Sequence, residues 1–244
     1  NEGTPYPDKA GPQQFNYVKE NTAGWEQKAN YQSVLSHLYG KAILGDSSAQ
    51  FEIGQLYQYG VAVAKSPQQA MTYYQLAAAQ QDVRAEYNLG MLFLEGQTNP
   101  VDYKQGINWM TDAAFKGNVF AQYVLANIYD KGFTDAAGNV VVQPDMQQAV
   151  AMYYLASSNG YGPAEYRLAE YLVKQKQAGL SLAAKENRTN LIRRLYQGAV
   201  NQGVAEAQLP MAYYNAMDKA HPDTQAEALA ITKKQATTGN SEAA

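Results

Sequence analysis

The sequence predicts an all-α fold, a right-handed α-α superhelix (a solenoid) made by stacking helix-turn-helix repeats. Three observations predict it. Four segments share one apolar register, the segments that follow them share a second, and the two alternate in phase along most of the chain. Apolar residues spaced by four and eight positions fall on one face of a helix, and a recurring period of this length marks a repeat array rather than one closed core.

Taken in order, residues 1–30 read as a lead-in. Pro5, Pro7 and Pro12 keep its first part extended, and 13–24 reads as a degenerate first helix. The array proper spans 31–244, about five units, and opens with a second-type helix over 34–45. The first helices then begin at Ala49, Ala85, Ala121 and Ala164. Each places an aromatic two residues on (Phe51, Tyr87, Tyr123, Tyr166) and an aliphatic at four (Ile53, Leu89, Leu125, Leu168). Gly or Ala follows at five (Gly54, Gly90, Ala126, Ala169), where a small side chain lets a second helix come close, and a large apolar residue stands at eight. A weaker fifth copy starts at Ala207, with Leu209, Met211, Ala212 and Asn215 in those places.

The second helices alternate small and large residues too: Ala70, Tyr73, Tyr74, Ala77; Gly106, Trp109, Met110, Ala113; Ala149, Tyr153, Tyr154, Ala156; and Ile192, Leu195, Tyr196, Ala199. Ser66, Asp102, Asp145 and Thr224 stand four residues before this pattern and are good N-caps. Pro67 suits a first helical turn. The fourth unit has Arg188 at the cap position, with Asn187 or Thr189 as substitutes.

The starting alanines lie 36, 36, 43, 43 and 36 residues apart, counting Ala243 as a sixth start. The distance from each late alanine to the next start stays at eight, so the extra residues fall between the two helices of a unit. One insertion is 133–143, whose Ala137-Gly138-Asn139-Val140 core suits a short hairpin. The other is 173–189, which has only Gly179 as a breaker and is expected to lengthen both helices. The segment 239–243 repeats the linker seen at 117–121, so a longer parent array is expected. A start at Asn1 rather than Met fits a removed leader or an internal start.

In this sequence Ala85, Tyr87, Leu89, Gly90, Phe93, Gly96, Asp102, Gly106, Trp109, Ala113, Ala114 and Gly117 carry a pattern that resembles the Sel-one-like repeat, a longer relative of the tetratricopeptide repeat. The resemblance covers about residues 30–244. It implies an adaptor that holds other proteins together, and an exported bacterial protein of the cell envelope or of contact with host cells. The tyrosine-rich, cysteine-free units with long insertions are most similar to the enhanced-entry type of intracellular pathogens. A cysteine-rich, disulfide-linked branch reported to bind β-lactams is excluded as a guide, since this chain has no cysteine.

Composition narrows the function classes. A net charge of −3 from a chain only 17% charged gives no basic, phosphate-seeking face, so nucleic acid is not expected as a partner. The one basic cluster, Lys185, Arg188, Arg193 and Arg194, reads as a solvated helix face. No apolar run approaches the roughly 18 residues of a membrane span. Without cysteine there is no disulfide, thiolate metal site or cysteine nucleophile. His37 takes the place of Tyr73 in the next unit and reads as a packing residue, and His221 precedes Pro222 in a turn, so no metal or cofactor is expected. There is no nucleophile elbow and no phosphate loop. Asn159-Gly160-Tyr161-Gly162 is a helix C-cap, and Glu165 and Glu170 point to different faces of one helix. No catalytic residue is assigned.

What remains is surface. By analogy with tetratricopeptide arrays, first helices line the concave side, which places Arg84, Tyr87, Met91, Tyr123, Asn127, Asp130, Tyr166, Glu170 and Tyr213 on the expected protein-binding face. The repeated aromatic fits either packing between neighbouring units or a recognition ladder, because a tyrosine ring can pack while its hydroxyl stays wet. The expectation is a non-catalytic, monomeric scaffold for another protein, periplasmic or secreted from a bacterium. Its partner is a periplasmic cell-wall enzyme or other envelope factor, with a host protein and a virulence role as the alternative. A cell-wall enzyme is disfavoured for want of a catalytic constellation.

Overall fold

A computed structural model describes residues 28–217 and Ala230. The described residues form a chain of helices: α1 (Lys28–Ile43), α2 (Ser47–Tyr59), α3 (Pro67–Ala79), α4 (Val83–Leu94), α5 (Tyr103–Phe115), α6 (Val119–Lys131), α7 (Met146–Ser158), α8 (Gly162–Lys174), α9 (Leu182–Asn201) and α10 (Gln208–Ala216). A two-stranded hairpin, β1 (Phe133–Thr134) and β2 (Val140–Val142), stands between α6 and α7. The chain divides into two compact bodies, 1–149 and 150–244, with the boundary inside α7.

In the first body each helix from α1 to α5 packs on the one that follows it. The small-residue register explains how closely. Gly54 of α2 lies against the ring of Tyr74 in α3, and a Cβ there would stand 2.5 Å from a ring carbon. Gly90 of α4 likewise approaches α5, where a Cβ would stand 3.0 Å from Met110 and 3.3 Å from the carbonyl of Gly106. The core is built from the predicted positions: Phe51, Tyr74, Ala77, Ala85, Leu89 and Phe93 are buried together.

Caps set the phase of the stack. Side chains of Ser66, Asp102 and Asp145 accept hydrogen bonds from the backbone N–H of Gln69, Gln105 and Gln148, as the sequence predicts. Thr224 lies outside the described residues. First helices are capped the same way by Asp46, Asp82 and Asn118, which accept from the N–H of Ala49, Ala85 and Ala121. Gly60 closes α2 in the left-handed region at φ 68°, where an L side chain is strained.

The two insertions differ. The first forms the expected hairpin, with Phe133 paired to Val142 and Thr134 to Val140, and Asp135 ties its turn through the N–H of Ala137 and Asn139. The second lengthens only one helix. In the second body α8 stops at Lys174, as long as the other complete first helices, and a loop through Gly179 leads to a 20-residue α9 capped by Ser181. Arg188 is therefore not a cap. It sits inside α9 and its guanidinium donates to the carbonyls of Leu172 and Gln175, the end of α8. A cation at a helix C-terminus answers both the free carbonyls and the helix dipole.

The fifth first helix starts late. Helices α2, α4, α6 and α8 begin two residues before their starting alanine, at Ser47, Val83, Val119 and Gly162, whereas α10 begins one residue after Ala207, behind a 3-10 turn over Ala205–Ala207. Pro210 explains the delay. A helix starting at 205 would hold Pro210 in its interior, where the missing N–H and the ring clash break an α-helix. Starting at Gln208 keeps it in the first turn.

Candidate protein-binding surface

The nine residues expected on the first-helix face divide by burial. Tyr87 and Met91 are buried, at 0% and 2% exposure, and Asn127 is buried at 8%. Tyr87 meets Phe120 of α6 with ring centroids 5.9 Å apart, so at this unit the repeated aromatic joins one first helix to the next. A recognition ladder there is not supported, since the ring has no free face to offer. Arg84 is exposed but held in place. It donates to both carboxylate oxygens of Asp82, at 3.1 and 2.7 Å, reaches the hydroxyl of Ser48, and lies 4.4 Å over the ring of Phe51. Tyr123 and Asp130 are half-buried, as are Tyr166 and Glu170 in the second body, and Tyr213 is exposed.

In the second body a groove of about 670 Å³ lies between α8 and α10, within the size range of ligand pockets. It brings together Glu170 and Tyr213 with residues that the sequence did not single out as binding residues: Val173, Tyr196, Leu209, Pro210 and Tyr214. Tyr166 packs against Tyr196 at 6.2 Å, Tyr196 against Tyr214 at 5.8 Å, and Tyr214 edge-on against Tyr213 at 5.4 Å. The buried Tyr196 hydroxyl bonds the Oε1 of Glu170 at 2.5 Å. Burial, then this bond to a carboxylate, pushes the Tyr196 hydroxyl well above the usual phenol range, which keeps it protonated and donating. The signal in the sequence was Pro210, which breaks a register that every earlier first helix keeps.

The other candidates take ordinary places. His37 is exposed rather than packed, unlike the half-buried Tyr73 it aligns with, because Tyr73 stacks on Tyr57 with centroids 5.9 Å apart. His221 lies outside the described residues. Gly160 turns the chain at φ 74° between α7 and α8. Glu165 turns away from Glu170 and lies against Gly198 of α9. Among the described residues no cluster of three or more His, Asp or Glu side chains could hold a metal, and no helix is long and apolar enough to cross a membrane.

Comparison with known proteins fits this geometry. Residues 47–82, 83–118 and 119–161 each match the Sel1 repeat, and these limits fall at the helix starts already described. Among solved structures, a Sel1 repeat protein from Oxalobacter formigenes is similar over 93% of this chain and 84% of its own, at 22% identity and a TM-score of 0.65. A protective antigen present in uropathogenic Escherichia coli strains, with the same repeat fold, is similar over 76% of this chain at 22% identity and a TM-score of 0.61. This chain spans only 37% of that protein's length. No curated protein matches. The fold is thus the stacked helix-pair class of α-α solenoids, and proteins of the Sel1 family are protein-interaction scaffolds, typically without catalysis. Three units in one unbroken phase, with helix boundaries where the repeat requires them, make residues 47–161 of this chain three Sel1 repeats.

Proposed function

We propose that the protein is a non-catalytic scaffold of an exported bacterial protein, related to the enhanced-entry type, that docks a cell-envelope protein on its first helices. One observation carries this reading. The positions that pack, Leu89, Leu125 and Leu168, keep their residue type, whereas other outward positions of the first helices change from unit to unit, as Arg84, Asp130, Glu170 and Tyr213 do, beside the half-open aromatics Tyr123 and Tyr166. Variable groups on a constant frame suit a surface that recognises something, since packing limits the other faces. Tyr and Arg are also over-represented among residues that dominate binding energy. The absence of cysteine and the low charge suit passage through an oxidising compartment.

The test is affinity capture on the immobilised chain from bacterial periplasmic extract and, in parallel, from host-cell lysate. The expected result is a periplasmic protein retained by the wild type and lost from the variant Tyr123→Ser, Asp130→Ala, Glu170→Gln. Retention of a host protein alone overturns the envelope reading. Retention that ignores these substitutions overturns the assignment of the surface.

A further inference from the structure

We infer that the groove between α8 and α10 is a receptor for a basic side chain, a lysine or arginine presented on an extended peptide segment with aliphatic neighbours. The inference rests on the scaffold reading and names what the scaffold would grip. Val173, Leu209 and Tyr213 are open at 43%, 50% and 59% exposure. In the first body the corresponding positions after the starting alanine, Leu94, Tyr87 and Met91, are all buried, at 2%, 0% and 2%.

The groove carries one charge. Glu170 accepts from Tyr196 through Oε1 only, and among the described residues no cation stands within ion-pair distance of it. Arg188 of α9 donates to the carbonyls of Leu172 and Gln175. The carboxylate is pinned by the buried Tyr196, and Tyr213 and Tyr214 line the same groove. A carboxylate beside tyrosine faces attracts a cation twice, by charge and by the ring quadrupole, and it repels an acidic peptide. The long methylene stem of lysine or arginine would cover the apolar walls while the charged head reaches Glu170. Aliphatic neighbours on the peptide then meet Val173 and Leu209. A groove that is both apolar and singly anionic selects this combination over a purely greasy helix, which would leave Glu170 buried and unpaired.

The experiment uses the full chain and three fluorescein-labelled nonapeptides, identical except at the centre, which is lysine, norleucine or glutamate between leucine and valine in a Gly/Ser frame. Fluorescence anisotropy should rank lysine first, norleucine about tenfold weaker and glutamate weaker still. Glu170→Gln should erase the preference for lysine over norleucine while both still bind. Tyr213→Ala should weaken the lysine and norleucine peptides together, and both variants should melt with the wild type. Equal binding of the three peptides overturns the inference, and so does lysine binding that survives both substitutions. Protection of Tyr213 from hydroxyl-radical labelling in the free chain also overturns it, because the groove would then be filled by the chain itself. A parallel capture from periplasmic extract separates the two readings. A protein retained through Tyr123 and Asp130 but indifferent to Glu170→Gln and Tyr213→Ala leaves the scaffold standing and removes the groove.

Discussion

Replacing Glu165 by glutamine should stabilise this protein, and the gain should vanish in mild acid. Position one after the starting alanine is occupied by Gln50, Glu86, Gln122 and Glu165. Both glutamines use it identically: Gln50 donates its amide to the carbonyl of Ala42 and Gln122 to that of Ala114, each at 3.1 Å and each eight residues back. A glutamate cannot donate when ionised. Oε2 of Glu165 is buried with no hydrogen-bond partner among the described residues, and its carboxylate is pressed against Gly198. Burial accordingly raises its pKa above the ordinary 4.5. By register, Glu165→Gln directs an amide at the carbonyl of Ser157. Making one hydrogen bond and removing one stranded oxygen is worth about 1 kcal/mol, or about 2–4 °C in melting temperature for a chain of this size. Because the folded pKa is raised, the folded state takes up the proton more readily than the unfolded chain does. The ionised carboxylate is a liability at neutral pH, and it is relieved as pH falls towards 4.5. Thermal melts of both proteins from pH 8 to pH 4.5 should show curves that converge on acidification. A variant less stable at neutral pH, or an advantage independent of pH, would refute the argument.

Glu86 occupies the same repeat position with the opposite solution. Lys116 reaches its Oε1 at 2.5 Å from the end of α5, so Lys116→Met should leave a buried carboxylate unpaired and cost about 1–3 kcal/mol in urea denaturation. Gly54→Ala should destabilise, since the new Cβ meets a Tyr74 ring that bonds to Gln58 and Asn88 and cannot step aside; overpacking costs about 1–3 kcal/mol. Gly40→Ala, inside α1 with nothing within 4 Å, should instead stabilise by up to ~1 kcal/mol through helix propensity, and equal effects from the two would contradict the packing register. Hydrogen exchange resolves both locally.

The parts of this fold legible in the sequence were those a repeat writes several times. Phase came from the alanines and the small residues beside them, because a close helix crossing tolerates nothing larger and the same crossing recurs. The hairpin was legible in one copy because Asp135 to Asn139 is turn chemistry with a local mechanism. The second insertion was not. Leu182, Ala183, Ala184, Lys185 and Glu186 are all good helix formers, and nothing among them says where α9 starts, so extrapolating the register put a cap at Arg188, seven residues after the true one at Ser181. Surface positions were harder still. Tyr87 and Tyr166 look alike in sequence, yet one is sealed by Phe120 and the other stands half-open. The difference lies with the next first helix, which brings Phe120 to Tyr87 but has Glu206 at the matching position for Tyr166, forty residues further on.

The central claim is that partners meet this protein on its first helices and not on its second. Photo-crosslinking from single positions in the cells that produce it tests that directly. A benzophenone amino acid replaces Tyr213, which is 59% exposed on a first helix, or Tyr154, which is 61% exposed on a second helix. Equal exposure makes equal labelling the expectation for random encounters. The account predicts a discrete crosslinked partner from position 213 and none from position 154. A partner captured at 154, with 213 silent, would contradict it.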